Sequence, residues 1–366
     1  MHYQPPLPPE YADLPPAQAI DRILARKREL GRRLVILGHH YQRDEVIGLA
    51  DFTGDSLKLC RQAAAADADF IVFCGVHFMA ESADILTGGR RVVVLPDLSA
   101  GCAMAEMAEP DDLADALAFL SAGGAKVVPV TYVNSTAAAK AVTARWGGAC
   151  CTSGNARRVF EWALAPRDRG GAGGQKVLAL PDQHLGRNTA VAMGFSPDEC
   201  LVYDPRQERG GLTAEAVERA RFILWKGHCY VHQRFTVEQI ERVRRQWPGV
   251  RVIVHPECPL EVVRAADEAG STEQIIQRVQ ASPPGARWAV GTEANLVRRL
   301  AAACPDRPVR TLADTPPMCI TMARIDPPHV LWVLDNLAQG QVVNRVSVPP
   351  DVAAEARAAL ERMIAM

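Results

Sequence analysis

With 366 residues, 48% of them hydrophobic and 23% charged, the chain has the composition of a folded globular protein and a length that suits two or three domains better than one core. A formal net charge of -1 argues against a nucleic-acid binder, whose footprint is a basic surface. No apolar run approaches the roughly 18 residues that span a bilayer, and Met1-His2-Tyr3-Gln4-Pro5-Pro6 lacks the basic-then-apolar order of a secretory signal, so a cytoplasmic protein is expected.

After a Pro-rich arm over residues 1–15, residues 16–30 read as an amphipathic helix. The apolar run 33–38 reads as a buried strand ending in His39-His40-Tyr41-Gln42, and Thr53-Gly54-Asp55-Ser56 as a turn into a helix over 57–66 with Asp55 or Ser56 as its cap. Strands follow at 70–75 and 91–96, the latter leading to Cys102. The pattern restarts at 126–132, which ends in Tyr132-Val133-Asn134, then at Cys150-Cys151-Thr152-Ser153, and at 176–181, which ends in Asp182-Gln183-His184-Leu185-Gly186. It restarts again at 222–224 before Trp225-Lys226-Gly227-His228-Cys229-Tyr230-Val231-His232. The strand 251–254 ends in His255-Pro256-Glu257-Cys258, a helix covers 260–269, and the strand 287–291 ends in Thr292-Glu293-Ala294-Asn295.

Strand, polar loop and helix alternate throughout, which predicts parallel sheets covered by helices. The expected fold is α/β, built as three similar three-layer α/β/α domains related by pseudo-threefold symmetry around a central active site. The expected divisions are 1–110 (completed by C-terminal helices over 330–366), 111–205 and 206–329. Such symmetry would bring Cys102, Cys229 and Cys319 together.

None of the ten cysteines forms a CxxC pair, so a zinc ribbon or a local ferredoxin-type site is excluded by spacing. Three separated thiols could hold an iron–sulfur cluster with one iron free of protein ligands, or zinc. His255 and Glu257 stand two apart, on one side of an extended segment, as general acid–base work requires. Tyr132 and Asn134 repeat that spacing with neutral groups. The turns at Ser153 and Thr272 lead into helices and, with His39 and Ser56, describe a cavity for a small polyanion.

Taken in order, Gly38-His39-His40-Tyr41-Gln42, Gly54-Asp55-Ser56, Pro96-Asp97-Leu98, Tyr132-Val133-Asn134, Thr152-Ser153, Pro181 to Gly186, Cys229-Tyr230-Val231-His232, His255-Pro256-Glu257, Gly270-Ser271-Thr272 and Cys319 resemble the quinolinate synthase family over most of the chain. The resemblance implies a [4Fe-4S] cluster on Cys102, Cys229 and Cys319. It implies substrate-binding residues at His39, Ser56, Tyr132, Asn134, Ser153, His255, Glu257 and Thr272, with Tyr41 and His232 at further active-site positions. The reaction it implies condenses iminoaspartate with dihydroxyacetone phosphate to quinolinate, releasing phosphate and water. An L-aspartate oxidase or dehydrogenase would then supply the iminoaspartate. In that scheme Glu257, supported by His255, moves protons and Tyr41 relays them.

Two departures stand out. No CxxC pair precedes Cys319, and Ile320 follows it where many relatives have proline. Cys258, beside Glu257, is a candidate for oxidation or stray metal binding. The rival readings are a zinc-dependent aldolase or lyase using the same His and Cys residues, and a non-enzymatic iron–sulfur sensor.

Overall fold

The computed structural model describes residues 3–366. The chain forms two compact units, Met1–Cys102 with Met318–Pro350, and Ala103–Pro317 with Asp351–Met366. Among the described residues, thirteen strands make three sheets, and every pairing within them is parallel.

The first unit carries β1 (Leu34–His39), β2 (Phe52–Gly54), β3 (Phe70–Cys74) and β4 (Val92–Val94), in the order β2-β1-β3-β4. Asp55, not Ser56, caps the following helix Ser56–Ala65, accepting from the Lys58 N–H. Helix Pro16–Leu30 packs beside helix Pro327–Ala338. Between them the buried Asp335 carboxylate accepts from Arg22 and Arg26, each at 2.6 Å, and from the Tyr11 hydroxyl at 3.1 Å. A buried charge needs such partners, because an isolated one would cost several kcal/mol, roughly, to desolvate.

The second unit holds two sheets. One contains β5 (Val127–Tyr132), β6 (Ala149–Cys151), β7 (Lys176–Leu180), β8 (Cys200–Tyr203) and β9 (Phe222–Trp225), ordered β6-β5-β7-β9-β8. The other contains β10 (Arg251–Val254), β11 (Glu268–Ala269), β12 (Trp288–Gly291) and β13 (Val309–Thr311), ordered β11-β10-β12-β13. Alternation along β10 shows why both faces are covered. Val252 and Val254 join a core with Ile240 and Val262, whereas Ile253 joins a separate core with Ile275, Val297 and Leu300. Each such side chain removed from water contributes about 1.5–3 kcal/mol. The last helix, Pro350–Ala365, goes with the second unit, where Asn155 donates to the Met363 carbonyl at 3.1 Å.

With β8 set aside as an added edge strand, all three sheets share one strand order: second, first, third, fourth in chain sequence. The three sheet-bearing α/β layers expected from the rhythm are therefore present. Two local readings differ. Residues 52–54 are an edge strand rather than part of a turn, and the helix expected over 260–269 stops at Ala265, leaving 268–269 to pair with β10.

Candidate active site

The common strand order gives the polar clusters common addresses. β1, β5 and β10 are the first strands of the three sheets, and they lead into His39-x-Tyr41, Tyr132-x-Asn134 and His255-x-Glu257. His39 pairs with Gly54, and Ser56 stands two residues further along the edge strand. Tyr132 pairs with Cys151, and Ser153 stands two residues further. Val254 pairs with Ala269, so one step on, His255 faces Gly270, and Thr272 again stands two residues further. The mouth of an open α/β sheet is where ligands bind, because side chains and free backbone groups converge there.

In the second unit His255, Glu257 and His232 are all buried and in mutual contact. His232 Nδ1 lies 2.7 Å from Glu257 Oε2, and His232 Nε2 lies 3.0 Å from the Thr292 hydroxyl. The His232 and His255 rings stack with centroids 4.3 Å apart. The Glu257 N–H donates to His255 Nδ1 at 3.3 Å, so a neutral His255 carries its proton on Nε2. Burial pushes His255 down to about 3, with His232 adding to the effect. Burial pushes Glu257 up, but His232, His255 and hydrogen bonds from His232 and Tyr132 outweigh it and hold the carboxyl at about 2. The pair therefore meets neutral pH as a carboxylate beside a neutral imidazole. Asn134 Oδ1 is buried and has no hydrogen-bond partner among the described residues. The Ser153–Gly154 turn sits close to Ser271, since a Cβ added at Gly154 would lie 3.5 Å from the Ser271 hydroxyl oxygen.

Three residues that the sequence reading did not single out hold this group in place. Thr292 orients His232. Asn188, from helix Gln183–Ala192, donates through its amide to the Pro256 and Cys258 carbonyls, both at 2.8 Å, and so clamps the backbone on either side of Glu257. Asp182 caps that helix through the Leu185 N–H at 2.7 Å and accepts the Cys229 N–H at 3.1 Å with its other oxygen. Burial raises the Asp182 carboxyl, and the Glu257 charge raises it further, against the opposing pull of its N–H donors. The two buried carboxyls are thus pushed in opposite directions, the pattern that separates an acid from a base. Gly227 must be glycine here, because a Cβ would lie 2.3 Å from the Pro181 carbonyl oxygen.

In the first unit the Tyr41 N–H donates to His39 Nδ1 at 3.1 Å, the same contact that Glu257 makes to His255. The His39 and Tyr41 rings meet edge to face at 4.7 Å. Arg324, five residues after Cys319, pairs with buried Asp97, five before Cys102, at 2.9 Å. Arg43 donates to the Ala323 carbonyl at 2.8 Å, tying the loop after β1 to the Cys319 segment.

The cysteines sort themselves by burial. Cys102, Cys229 and Cys319 are partly exposed, and the other seven are buried. Each of the three lies in the loop after the fourth strand of its sheet: β4, β9 and β13. Each is followed three residues later by a short 3-10 turn: Ala105–Met107, His232–Arg234 and Met322–Arg324. An α-helix starts eight residues after each cysteine, at Pro110, Val237 and Pro327. None of the other cysteines has this setting. Cys258 is wholly buried and its thiol is raised far above its ordinary range by burial, a poor setting for the oxidation or metal capture considered from sequence.

Among the described residues, no helix is long and apolar enough to cross a membrane. A family model described as quinolinate synthetase A protein matches residues 21–365. A quinolinate synthase of Nocardioides sp. is 54% identical over 362 residues, covering 97% of this chain and 91% of the relative. One of Streptomyces coelicolor is 53% identical over 353 residues, covering 95% and 88%. One of Geobacillus kaustophilus is 50% identical over 364 residues, covering 98% and 96%. With matches of this extent, the chain is an enzyme that belongs to the quinolinate synthetase A family.

Proposed function

We propose that the chain condenses iminoaspartate with dihydroxyacetone phosphate to form quinolinate, releasing phosphate and water, with a [4Fe-4S] cluster held by Cys102, Cys229 and Cys319. The observation that carries this reading is the threefold setting of those thiols. Three of ten cysteines share one address in the fold, one turn geometry and partial exposure, which are the requirements of a ligand set rather than of packing. Thiolate donors suit iron–sulfur clusters, so the donor chemistry fits the group. When bound, a cluster with three protein ligands supplies one Lewis-acidic iron for polarising a hydroxyl or carbonyl oxygen.

The protein's own groups supply the rest. Glu257, ionised and fixed by His232 and Tyr132, takes a proton from the condensing carbon. His255 carries an Nε2 proton that it can donate to a departing hydroxyl, and the low value of about 3 keeps its imidazole neutral until then. Asn134 Oδ1, buried and without a protein donor, is an acceptor reserved for a substrate N–H or O–H. Ser153 and Thr272, at turns leading into helices, bind carboxylate or phosphate with neighbouring backbone N–H groups. His39, Tyr41 and Ser56 form the matching set in the first unit, with Tyr41 relaying protons. The enzyme would work in the cytoplasm, taking its imine from an L-aspartate oxidase or dehydrogenase, because an imine hydrolyses in water and needs a nearby source.

The test is an anaerobic absorption spectrum with iron and sulfide analysis, run on the wild type and on Cys229→Ala, followed by quinolinate formation from the two substrates. Broad charge-transfer absorption and about four irons per chain, both lost in the variant, together with quinolinate formation, are expected. A colourless protein after anaerobic reconstitution would remove the cluster from this scheme.

A further inference from the structure

Cys229, His232 and Glu257 each offer a ligand atom, and these atoms lie within 4.8 Å of one another. We propose that in the cluster-free protein these three residues bind a single zinc-class divalent cation through the Cys229 thiolate, His232 Nδ1 and a Glu257 carboxylate oxygen, leaving one coordination position open. Cys102 and Cys319 take no part. The proposal stands on the geometry of these side chains and does not need the synthase reading to be correct.

Bond lengths set the requirement. Zinc binds sulfur at about 2.3 Å and nitrogen or oxygen at about 2.0–2.2 Å, so tetrahedral ligand atoms sit roughly 3.3–3.7 Å apart. His232 Nδ1 and Glu257 Oε2 are already 2.7 Å apart, sharing a proton that the metal would replace. The remaining closure falls on Cys229, the partly exposed member, whose N–H donates to Asp182 and whose carbonyl accepts the Gln233 N–H.

The charges also balance. One thiolate and one carboxylate neutralise a dication, and the neutral imidazole adds none, so the largely buried site carries no net charge. Loss of the Nδ1 proton obliges the neutral ring to carry its proton on Nε2. Nε2 faces the Thr292 hydroxyl at 3.0 Å, which then acts as acceptor instead of donor. Metal-bound histidines regularly donate their second N–H in this way, and the partner fixes the ring. Mixed sulfur, nitrogen and oxygen donors favour zinc or cobalt over magnesium or calcium. Three protein ligands with an open position are the arrangement of catalytic rather than structural zinc sites.

A consequence follows for cluster loading. Cys229 is common to this site and to the proposed cluster ligand set, so an ion bound here blocks reconstitution until it is removed.

The full-length chain, reduced and stripped of metal with a chelator, is titrated with Co2+ under anaerobic conditions and then with Zn2+. Expected are a thiolate-to-cobalt band in the near ultraviolet and intense visible bands of a four-coordinate ion, saturating at one ion per chain and reversed by zinc. Cys229→Ala abolishes the ultraviolet band. His232→Gln and Glu257→Gln each weaken binding by at least about tenfold, and Thr292→Val, which keeps the shape and removes the hydroxyl, weakens it by about 10–100-fold. A Cys102→Ser/Cys319→Ser double variant binds cobalt with unchanged affinity and spectrum. Loss of the bands in that double variant would overturn the proposal. So would unaltered affinity in folded His232→Gln and Glu257→Gln proteins, or no cobalt binding by the wild type. A failure of the cluster reading would appear instead in iron and sulfide content and leaves these outcomes untouched.

Discussion

Asn188 is buried, yet its position on a helix gave no reason to connect it with Glu257. Its amide reaches the Pro256 and Cys258 carbonyls, each at 2.8 Å. Replacement by leucine keeps the approximate volume and deletes both donors. A buried carbonyl left without a donor costs about 1–3 kcal/mol, so two cost about 2–6 kcal/mol if the loop stays rigid. Relaxation of the loop lowers that toward about 2–3 kcal/mol, at roughly 2–4 °C of melting temperature per kcal/mol for a unit of this size. The same relaxation moves Glu257, which lies between the two carbonyls. A displacement near 1 Å costs on the order of 100-fold in rate. Asn188→Leu is therefore expected to melt about 4–12 °C lower and to lose about 10–100-fold in kcat, with KM much less affected. Asn188→Gln, which keeps an amide donor, should recover part of both. The assays are a thermal scan and anaerobic steady-state quinolinate formation. A leucine variant with wild-type turnover and melting would refute the clamp.

Two further outcomes follow from the same site. His255 has a folded-state value of about 3 against an ordinary 6.5, so the unfolded state binds more protons between those limits and stability is lost as pH falls below about 6.5. From pH 7 to pH 5 the ring accounts for about 2 kcal/mol of that loss, and urea midpoints for His255→Asn should accordingly vary less with pH than those of the wild type. Gly227→Ala forces a Cβ to within 2.3 Å of the Pro181 carbonyl oxygen and pushes the Cys229 loop off its Asp182 anchor. Its iron content after reconstitution should fall well below that of Gly123→Ala, where an added Cβ meets nothing within 4 Å, and equal iron in the two variants would contradict the anchor.

What could be read from sequence follows from burial. β1, β5, β7, β9, β10 and β12 sit inside their sheets with both faces covered, so each appears as a continuous apolar run. β2, β11 and β13 are edge strands of two or three residues with partly exposed side chains, and no such run marks them, whereas the edge strand β8 is a short apolar run of four residues. The polar residues at strand ends were legible for the same reason, because each directly follows an apolar run. The residues that orient them were not. Thr292 was one polar residue in a capping segment, and Asn188 and Asp182 act across about seventy and about fifty positions of chain, on contacts that only the folded backbone defines.

The three strand-end motifs differ in a way that accounts for the place proposed for the proton chemistry. The paired position is His39, Tyr132 or His255, and the position two residues on is Tyr41, Asn134 or Glu257. Backbone geometry is held in common, since Tyr41 and Glu257 both donate their N–H to the Nδ1 of the preceding histidine. With that contact made, each histidine in its neutral form carries its proton on Nε2, and a carboxylate base can stand at the second position. Only the third copy places a carboxylate there, and only that copy has His232, from the turn after Cys229, against the carboxylate to hold it ionised. The first two copies present hydroxyl, amide and imidazole groups and no carboxylate. Of the three strand-end pairs, one thus carries the carboxylate proposed as the base, and it lies beside a candidate ligand cysteine because the loop after the fourth strand supplies His232 three residues after Cys229.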